Sequence, residues 1–192
     1  MGKMFKVLLT GQIASGKTTV LNQFSALGVY TINADKVVKQ LLSQPKNNAL
    51  LMQKAPDCFD INGLNREILR KKFFSDHAFA RSFQDWIHPL VYSDINMQLE
   101  SVRNYPYVVI EMPLVPSPEI YDRLCLVRAA DDVCCARLRK RWKGDLFSEV
   151  KQLSTKWENV SYDDLITNDG SHDDLIKQVE NLHNYYQYNN IG

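Results

Sequence analysis

The residues of this chain that most clearly predict chemistry are two glycines, a lysine and a threonine near the amino terminus. Gly11, Gly16, Lys17 and Thr18 follow the pattern G-x-x-x-x-G-K-[ST]. Glycine lets the backbone approach an anion closely, so the amides of residues 14–18 can point at phosphate oxygens. The lysine suits the β- and γ-phosphates, and the threonine hydroxyl is a ligand for Mg²⁺. The spacing therefore predicts a site for a nucleoside triphosphate with Mg²⁺.

This glycine-rich segment stands between a predicted strand and a predicted helix, the setting in which the pattern is most specific. Phe5 to Leu9 is continuously apolar, which indicates a strand buried on both faces. Lys17 to Leu27 has a helical pattern, and Gly28 follows it as a helix stop. The amino terminus of that helix would add partial positive charge beside the phosphates. A glycine turn that only reverses the chain fits this context less well.

Asp35 is a candidate for chemistry at the acceptor. It follows the predicted second strand, Val29 to Ile32, at the edge of the sheet where open α/β folds bind ligands. A carboxylate there could orient or deprotonate an attacking hydroxyl. Asp is also a preferred N-cap, and a helix is predicted from Asp35 to Leu42. The residues alone leave both interpretations open.

Positive charge is concentrated in a helix predicted from Asp132 to Arg141. Arg137 and Arg141 share one helix face, and phosphoryl transfer needs cations around the transferring group. Gly144 follows, which favours a mobile loop and hence a lid at about residues 137–155. A solvated basic face is the alternative interpretation.

The elements that position these residues follow from the alternation of apolar strands with helices, which indicates an α/β fold with a parallel sheet. A helix is predicted over residues 147–158, and Ser171 with Asp174 begins a closing helix over residues 171–186 in the manner of a capping box. Three more strands are expected, at residues 107–110, 124–127 and 165–166.

Residues 45–103 form a helical block with no convincing strand, which is too long for a simple crossover. We expect it to be a substrate-binding insertion. Pro89 is expected to end or kink a helix near His88. A lone histidine is more often structural than catalytic, so His88 is a candidate for ligand contact rather than for catalysis.

The bulk composition is that of an ordinary globular chain. Of the 192 residues, 45% are hydrophobic and 23% are charged, and the net charge of +1 predicts no attraction to nucleic acid or a membrane surface. No stretch approaches the about 20 apolar residues of a membrane span. We expect a cytoplasmic monomer or weak homo-oligomer. Its cysteines form no C-x-x-C pair and are expected to be reduced and non-catalytic: Cys58, Cys125, Cys134 and Cys135.

In order, and over nearly the whole chain, these motifs resemble the dephospho-CoA kinase family. The loop from Leu9 to Val20 resembles the family's opening, and Ile32-Asn33-Ala34-Asp35 resembles its I-D-A-D segment. His88-Pro89-Leu90-Val91 and the stretch from Asp164 to Gly170, with its Asn-x-Gly, resemble later signatures. This combination is much more specific than the phosphate-binding loop alone. Smaller matches are Gly63-Leu64-Asn65-Arg66, Pro113-Leu114 and Gln152.

The resemblance implies transfer of the γ-phosphate of ATP to the ribose 3′-hydroxyl of dephospho-CoA, the last step of coenzyme A synthesis. It implies a three-layer P-loop NTPase fold with a five-stranded parallel sheet, an insertion and a lid. Residues 1–44 and 104–192 would be the nucleotide-binding core, and residues 45–103 the CoA-binding insertion.

The resemblance also assigns roles to residues. Asp35 would be the catalytic base, assisted by Lys17 and by the lid arginines Arg137 and Arg141. Thr18 would bind Mg²⁺. Apart from the resemblance, Glu111 is a further candidate because of its position at the end of the third predicted strand. The ATP-binding residues would be Gly11, Ala14, Ser15, Gly16, Lys17, Thr18, Thr19 and Asn168, the last near the adenine. The acceptor-binding residues would be Asp35, Arg66, His88, Pro113 and Leu114.

The chain departs from the family pattern at several positions. Asn33 replaces an aspartate, which removes one charge near the acceptor. Gln12 and Ala14 replace glycines, so their side chains must point away from the phosphates. The lid between Arg141 and Gln152 is about one helical turn short. There are two rival hypotheses. The chain could be a kinase for another small molecule or nucleotide, or a non-catalytic nucleotide-binding regulator.

Overall fold

The computed structural model describes residues 4–102, 104–113, 120–141 and 160–188. The chain divides into two compact units. The sheet unit comprises Met1–Ala34 and Leu99–Gly192, and the helical unit comprises Asp35–Gln98. In chain order the helices and strands are β1 (Phe5–Gly11), α1 (Lys17–Ala26), β2 (Tyr30–Asn33), α2 (Ala34–Ser43), α3 (Pro45–Lys54), β3 (Phe59–Asp60), β4 (Gly63–Leu64), α4 (Arg66–Ser75), α5 (His77–Ser101), β5 (Tyr107–Glu111), β6 (Arg123–Arg128), α6 (Asp131–Arg141), β7 (Asp164–Thr167) and α7 (His172–Tyr188).

The sheet unit contains a five-stranded parallel sheet in the order β2-β5-β1-β6-β7, which confirms the predicted fold class. In the central strand, Leu8 pairs with Ile110 of β5 and Leu124 of β6. All strands are parallel, so their carboxyl ends lie along one edge of the sheet, where the loop after β1 begins. The predicted strands agree with the observed ones to within one or two residues.

The core of the sheet unit is apolar on both faces of the central strands. β5 is buried along its whole length, as a strand covered on both faces must be. Phe24 of α1 packs on Tyr107 of β5 and Tyr186 of α7, with ring centroids 6.4 and 6.3 Å apart. Ser171 and Asp174 exchange hydrogen bonds at the start of α7, which confirms the predicted capping box.

The helical unit contains a small antiparallel hairpin, so the prediction that residues 45–103 hold no strand is wrong. Phe59 pairs with Leu64 and Asp60 with Gly63. Strands of two residues carry no periodic pattern. This pair depends on its turn, where the backbone N–H of Asn62 donates to Asp60 Oδ1 at 2.8 Å.

Pro89 does not end a helix at His88, because α5 continues from His77 to Ser101. Proline removes one backbone hydrogen bond from a helix interior. Ile87, Val91 and Ile95 are buried on one side of α5, and their burial offsets that loss.

Some predictions lie outside the described residues. These are the helix at residues 147–158, the lid beyond Arg141, Gln152 and Leu114. Among the described helices, none is both long and apolar enough to cross a bilayer.

Candidate active site

The phosphate-binding loop requires glycine at two positions for steric reasons. Gly11 and Gly16 have φ angles of +147° and +100°, a region that L side chains rarely adopt. A Cβ atom on Gly11 would lie 2.1 Å from the Val127 carbonyl oxygen, and one on Gly16 would lie 2.0 Å from Asn168 Nδ2. A side chain at Gly11 would therefore displace the backbone of β6, and one at Gly16 would displace the Asn168 side chain.

Helix α1 begins directly after this loop without a side-chain cap from its own sequence. Gly16 is its N-cap and provides no side-chain cap, and the first turn, which is fully described, contains no acidic residue. The helix dipole gives partial positive charge at this end. The sequence of α1 thus favours an external anion over an internal cap.

The outer side of the loop is bonded to side chains from α6 and from the end of β7. Asn168 Nδ2 donates to the Ser15 carbonyl at 2.7 Å. Arg137 Nη1 donates to the carbonyls of Ala14 and Ser15 at 3.3 and 3.2 Å, and its Nη2 donates to the Asn168 carbonyl at 2.9 Å. The structure therefore brings two residues that were predicted from separate motifs, Arg137 and Asn168, onto the same loop.

Gln12 is directed out of the loop, as expected from its side chain. Its Nε2 donates to the Ala129 carbonyl at 2.7 Å and to Cys134 Sγ at 2.9 Å. Burial raises the pKa of the Cys134 thiol. This thiol stays protonated and packs against the loop, in agreement with a non-catalytic cysteine.

Lys17 places its ammonium over the loop. Nζ donates to the carbonyls of Gly11 and Gln12 at 2.8 and 3.0 Å. The charge is therefore held within the curve of the backbone by carbonyls, and phosphate oxygens are stronger acceptors for an ammonium than carbonyls are.

A network of three polar side chains lies at the carboxyl ends of β2 and β5. Thr18 Oγ1 donates to Glu111 Oε1 at 2.9 Å, and Asn33 Nδ2 donates to Glu111 Oε2 at 2.5 Å. Glu111 is only 5% exposed. A hydroxyl and a carboxylate are hard oxygen donors of the kind that Mg²⁺ takes. The one indication of Glu111 in the sequence was its place at the end of a predicted buried strand.

The same network explains the departure at Asn33. An aspartate at this position would put a second carboxylate against Glu111, and two like charges at this distance repel. The amide instead donates to the carboxylate, so the substitution removes a charge and keeps a contact.

Asp35 lies in the first turn of α2, which begins at Ala34, and is exposed. It is therefore inside the helix rather than at the N-cap position that the alternative interpretation requires. A carboxylate in the first turn still interacts favourably with the helix dipole. Its catalytic role stays a prediction.

Of the remaining acceptor candidates, Arg66 and His88 lie in the helical unit and Pro113 lies in the sheet unit. Arg66 is exposed, and its Nη2 donates weakly to the Lys39 carbonyl at 3.4 Å. His88 is half-buried beside Tyr92, and burial lowers the pKa of its imidazole. Pro113 is exposed after β5. Their roles in binding stay predictions.

Comparison with known proteins decides the family. A family model described as dephospho-CoA kinase matches residues 5–174. The chain belongs to the dephospho-CoA kinase family. As a member, it is an ATP-dependent kinase of coenzyme A synthesis. The resemblance inferred from the sequence motifs is confirmed.

Individual family members agree over nearly their full lengths. The chain is 31% identical to the dephospho-CoA kinase of Sodalis glossinidius, over 94% of this chain and 91% of that protein. It is 32% identical to the enzyme of Thiobacillus denitrificans, over 95% and 96%.

Solved structures agree on the fold. The Thermus thermophilus protein TT1252 superposes with a TM-score of 0.78 at 20% identity, covering 96% of this chain and 98% of that one. The dephospho-CoA kinase from Campylobacter jejuni superposes with a TM-score of 0.62 at 20% identity, covering 94% and 96%.

Proposed function

We propose that this chain transfers the γ-phosphoryl group of ATP to the ribose 3′-hydroxyl of dephospho-CoA, giving coenzyme A and ADP. The observation that carries the proposal is the glycine-dependent phosphate-binding loop within a family match that extends from residue 5 to residue 174. That match includes the acceptor motifs as well as the loop. The reaction is the last step of coenzyme A synthesis.

ATP would bind with its phosphates on the loop and on the amino terminus of α1. The loop amides and the positive end of the helix dipole suit the α- and β-phosphates. Lys17 would exchange its two carbonyl acceptors for β- and γ-phosphate oxygens. The residues proposed to form the ATP site are Gly11, Ala14, Ser15, Gly16, Lys17, Thr18, Thr19 and Asn168.

Mg²⁺ fits the pair of oxygen donors formed by Thr18 and Glu111. The hydroxyl and the carboxylate already lie 2.9 Å apart, and the carboxylate is buried, so few conformations have to be lost for both to bind one cation. Thr18 and Glu111 would hold the cation, and the chemistry it would supply is positive charge beside the phosphates. Thr18 is the proposed ligand from the loop, and Glu111 the proposed acidic residue.

Asp35 is the proposed base for the acceptor. Its carboxylate would take the proton of the 3′-hydroxyl as the new O–P bond forms and the bond to the β–γ bridging oxygen breaks. The helical unit is proposed to hold the rest of dephospho-CoA, with the exposed guanidinium of Arg66 suited to a phosphate. The other proposed acceptor contacts are His88, Pro113 and Leu114.

Arg137 and Arg141 are the proposed cations for the charge that develops on the transferring group. For Arg137, this role requires the guanidinium to leave backbone carbonyls for phosphate oxygens. Closure of a lid over residues 137–155 would exclude water and so limit ATP hydrolysis.

The cellular compartment and the assembly of the enzyme are also proposals. All four cysteines are free thiols, which suits a reducing compartment such as the cytoplasm. The expected assembly is a monomer or weak homo-oligomer, and light scattering of the purified chain measures it.

A panel of acceptors tests this proposal against its rivals. The purified chain is given ATP and Mg²⁺ with dephospho-CoA, nucleosides, nucleoside monophosphates or sugar acids, and ADP release is measured. We expect rapid ADP release only when dephospho-CoA is the acceptor. Faster release with another acceptor would favour a different small-molecule kinase. A chain that binds ATP but releases no ADP with any acceptor would favour a non-catalytic nucleotide-binding regulator.

A further inference from the structure

Asn168 is a buried residue whose side-chain amide donates a hydrogen bond to the phosphate-binding loop. Nδ2 donates to the Ser15 carbonyl at 2.7 Å, across 153 residues of sequence, and the residue is only 9% exposed. Its own backbone is fixed on both sides: its N–H donates to the Arg128 carbonyl at 2.8 Å, and its carbonyl accepts from Arg137 at 2.9 Å. The donor is therefore held rigidly at the end of β7.

This hydrogen bond, the shorter of two that the Ser15 carbonyl accepts, orients one peptide group in the loop; the other comes from Arg137 Nη1 at 3.2 Å. The peptide between Ser15 and Gly16 is trans, so its carbonyl and its N–H point in opposite directions. Because the carbonyl is directed at Asn168, the Gly16 N–H faces away from β7, toward the side of the loop opposite its bonded outer surface. Phosphates approach the amides of such a loop from that inner side.

The close contact also gives Gly16 a second reason to be glycine. A Cβ atom there would lie 2.0 Å from Asn168 Nδ2. No other residue could occupy position 16 while Asn168 keeps its bond to Ser15. The glycine of the loop and the asparagine after β7 therefore form one steric unit.

We propose that Asn168 is a positioning residue for the loop, which holds the Ser15–Gly16 peptide so that the Gly16 amide is presented to the phosphate chain before ATP binds. The inference depends on the proposed function for one point only, the binding of ATP to this loop. Its benefit is preorganisation, because a donor that is already aimed loses no freedom on binding. This role requires no contact with the adenine, because it acts through the Ser15 carbonyl.

The test uses inorganic tripolyphosphate, which has the phosphates of ATP and no adenine. Asn168→Leu keeps the size and branching of the side chain and removes the donor without adding charge. We expect its affinities for tripolyphosphate and for ATP, measured by calorimetry, to fall by the same factor of about five- to tenfold, the effect of one hydrogen bond. The KM for dephospho-CoA should stay unchanged.

Asn47→Leu is the matched control, because Asn47 is 7% exposed and donates to the Leu41 carbonyl at 3.0 Å in the helical unit. It should lower thermal stability and leave tripolyphosphate affinity unchanged. If Asn168→Leu does not fold, Asn168→Ala makes the same comparison.

Three outcomes would overturn the inference: unchanged tripolyphosphate affinity in the Asn168 variant, loss of ATP affinity alone, or wild-type protein that binds no tripolyphosphate. Loss of ATP affinity alone would assign Asn168 to the adenine. Wild-type protein that binds tripolyphosphate and forms no coenzyme A would contradict the proposed function, while the affinity comparison would still decide the role of Asn168.

Discussion

In the sheet unit two of the candidate site residues, Glu111 and Asn168, are buried and bonded to neighbouring side chains or backbone, whereas in the helical unit Asp35 and Arg66 are exposed. Glu111 and Asn168 are nearly inaccessible and have short hydrogen bonds. Arg66 is exposed, with a hydrogen bond of 3.4 Å. The difference indicates that the phosphate site is formed in advance of binding, while the acceptor side keeps its side chains available for the ligand.

The largest effect should come from the acceptor side. Asp35→Asn removes the proposed base and keeps the size of the side chain, so kcat should fall by between about 10² and 10⁴. The KM for ATP should not change, because Asp35 is not proposed to touch ATP. Steady-state kinetics with both substrates measure the two effects.

Asp173→Asn is the control for this change, since Asp173 is also an exposed carboxylate in the first turn of a helix. It should leave kcat near the wild-type value. Turnover of Asp35→Asn within a few-fold of wild type would remove Asp35 from the mechanism.

The corresponding change in the phosphate site is Lys17→Met, which keeps the chain length and removes the charge. We expect kcat/KM to fall by about 10²–10³, because one electrostatic donor to the transferring group is lost. The KM for dephospho-CoA should stay near the wild-type value, and circular dichroism should confirm the fold. A variant that keeps full activity would show that Lys17 does not contact the phosphates in the transition state.

Glu111→Gln tests whether the buried network at the carboxyl ends of the strands binds Mg²⁺. The Mg²⁺ concentration for half-maximal activity should rise by about 10- to 100-fold, because the amide carries no charge to attract the cation. Activity is measured in a Mg²⁺ titration at saturating ATP. An unchanged titration curve would leave Glu111 with a structural role toward Thr18 and Asn33 only.

The smallest effect concerns stability and pH. In the sheet unit, Tyr107 Oη and His183 Nδ1 share a hydrogen bond of 2.7 Å, and burial lowers the pKa of His183 below its usual 6.5. The unfolded state then binds a proton more readily than the folded state, so stability falls as pH decreases through about 6.5. His88 has the same direction of shift in the helical unit.

Thermal unfolding measured between pH 8 and pH 5 should separate the two histidines. His183→Asn should reduce the drop in Tm between pH 8 and pH 5 by about 1–3 °C. His88→Asn should reduce the same drop independently. A profile that both variants leave unchanged would contradict the assigned shifts.

Local patterns predicted the parts of this molecule that depend on neighbours in sequence. The loop from Gly11 to Thr18, the strand positions and the capping box at Ser171 each follow from a few adjacent residues. The β3–β4 hairpin was missed because strands of two residues have no period. The continuation of α5 through Pro89 was missed because burial of its apolar face outweighs one lost hydrogen bond.

The contacts that complete the site depend on residues far apart in sequence. Glu111 contacts Thr18 across 93 positions, and Asn168 contacts Ser15 across 153. Spacing carries no information about such pairs. The family resemblance identified Asn168 as a site residue, but its bond to the loop required the fold.

The most direct test of the account is the identity of the product formed from ATP and dephospho-CoA. The purified chain is incubated with both and with Mg²⁺, and the product is analysed by mass spectrometry and ³¹P NMR. We expect one new phosphate monoester, on the ribose 3′-hydroxyl, in an amount equal to the ADP released. Folded protein that binds ATP and yields no phosphorylated product, or one phosphorylated elsewhere, would contradict it.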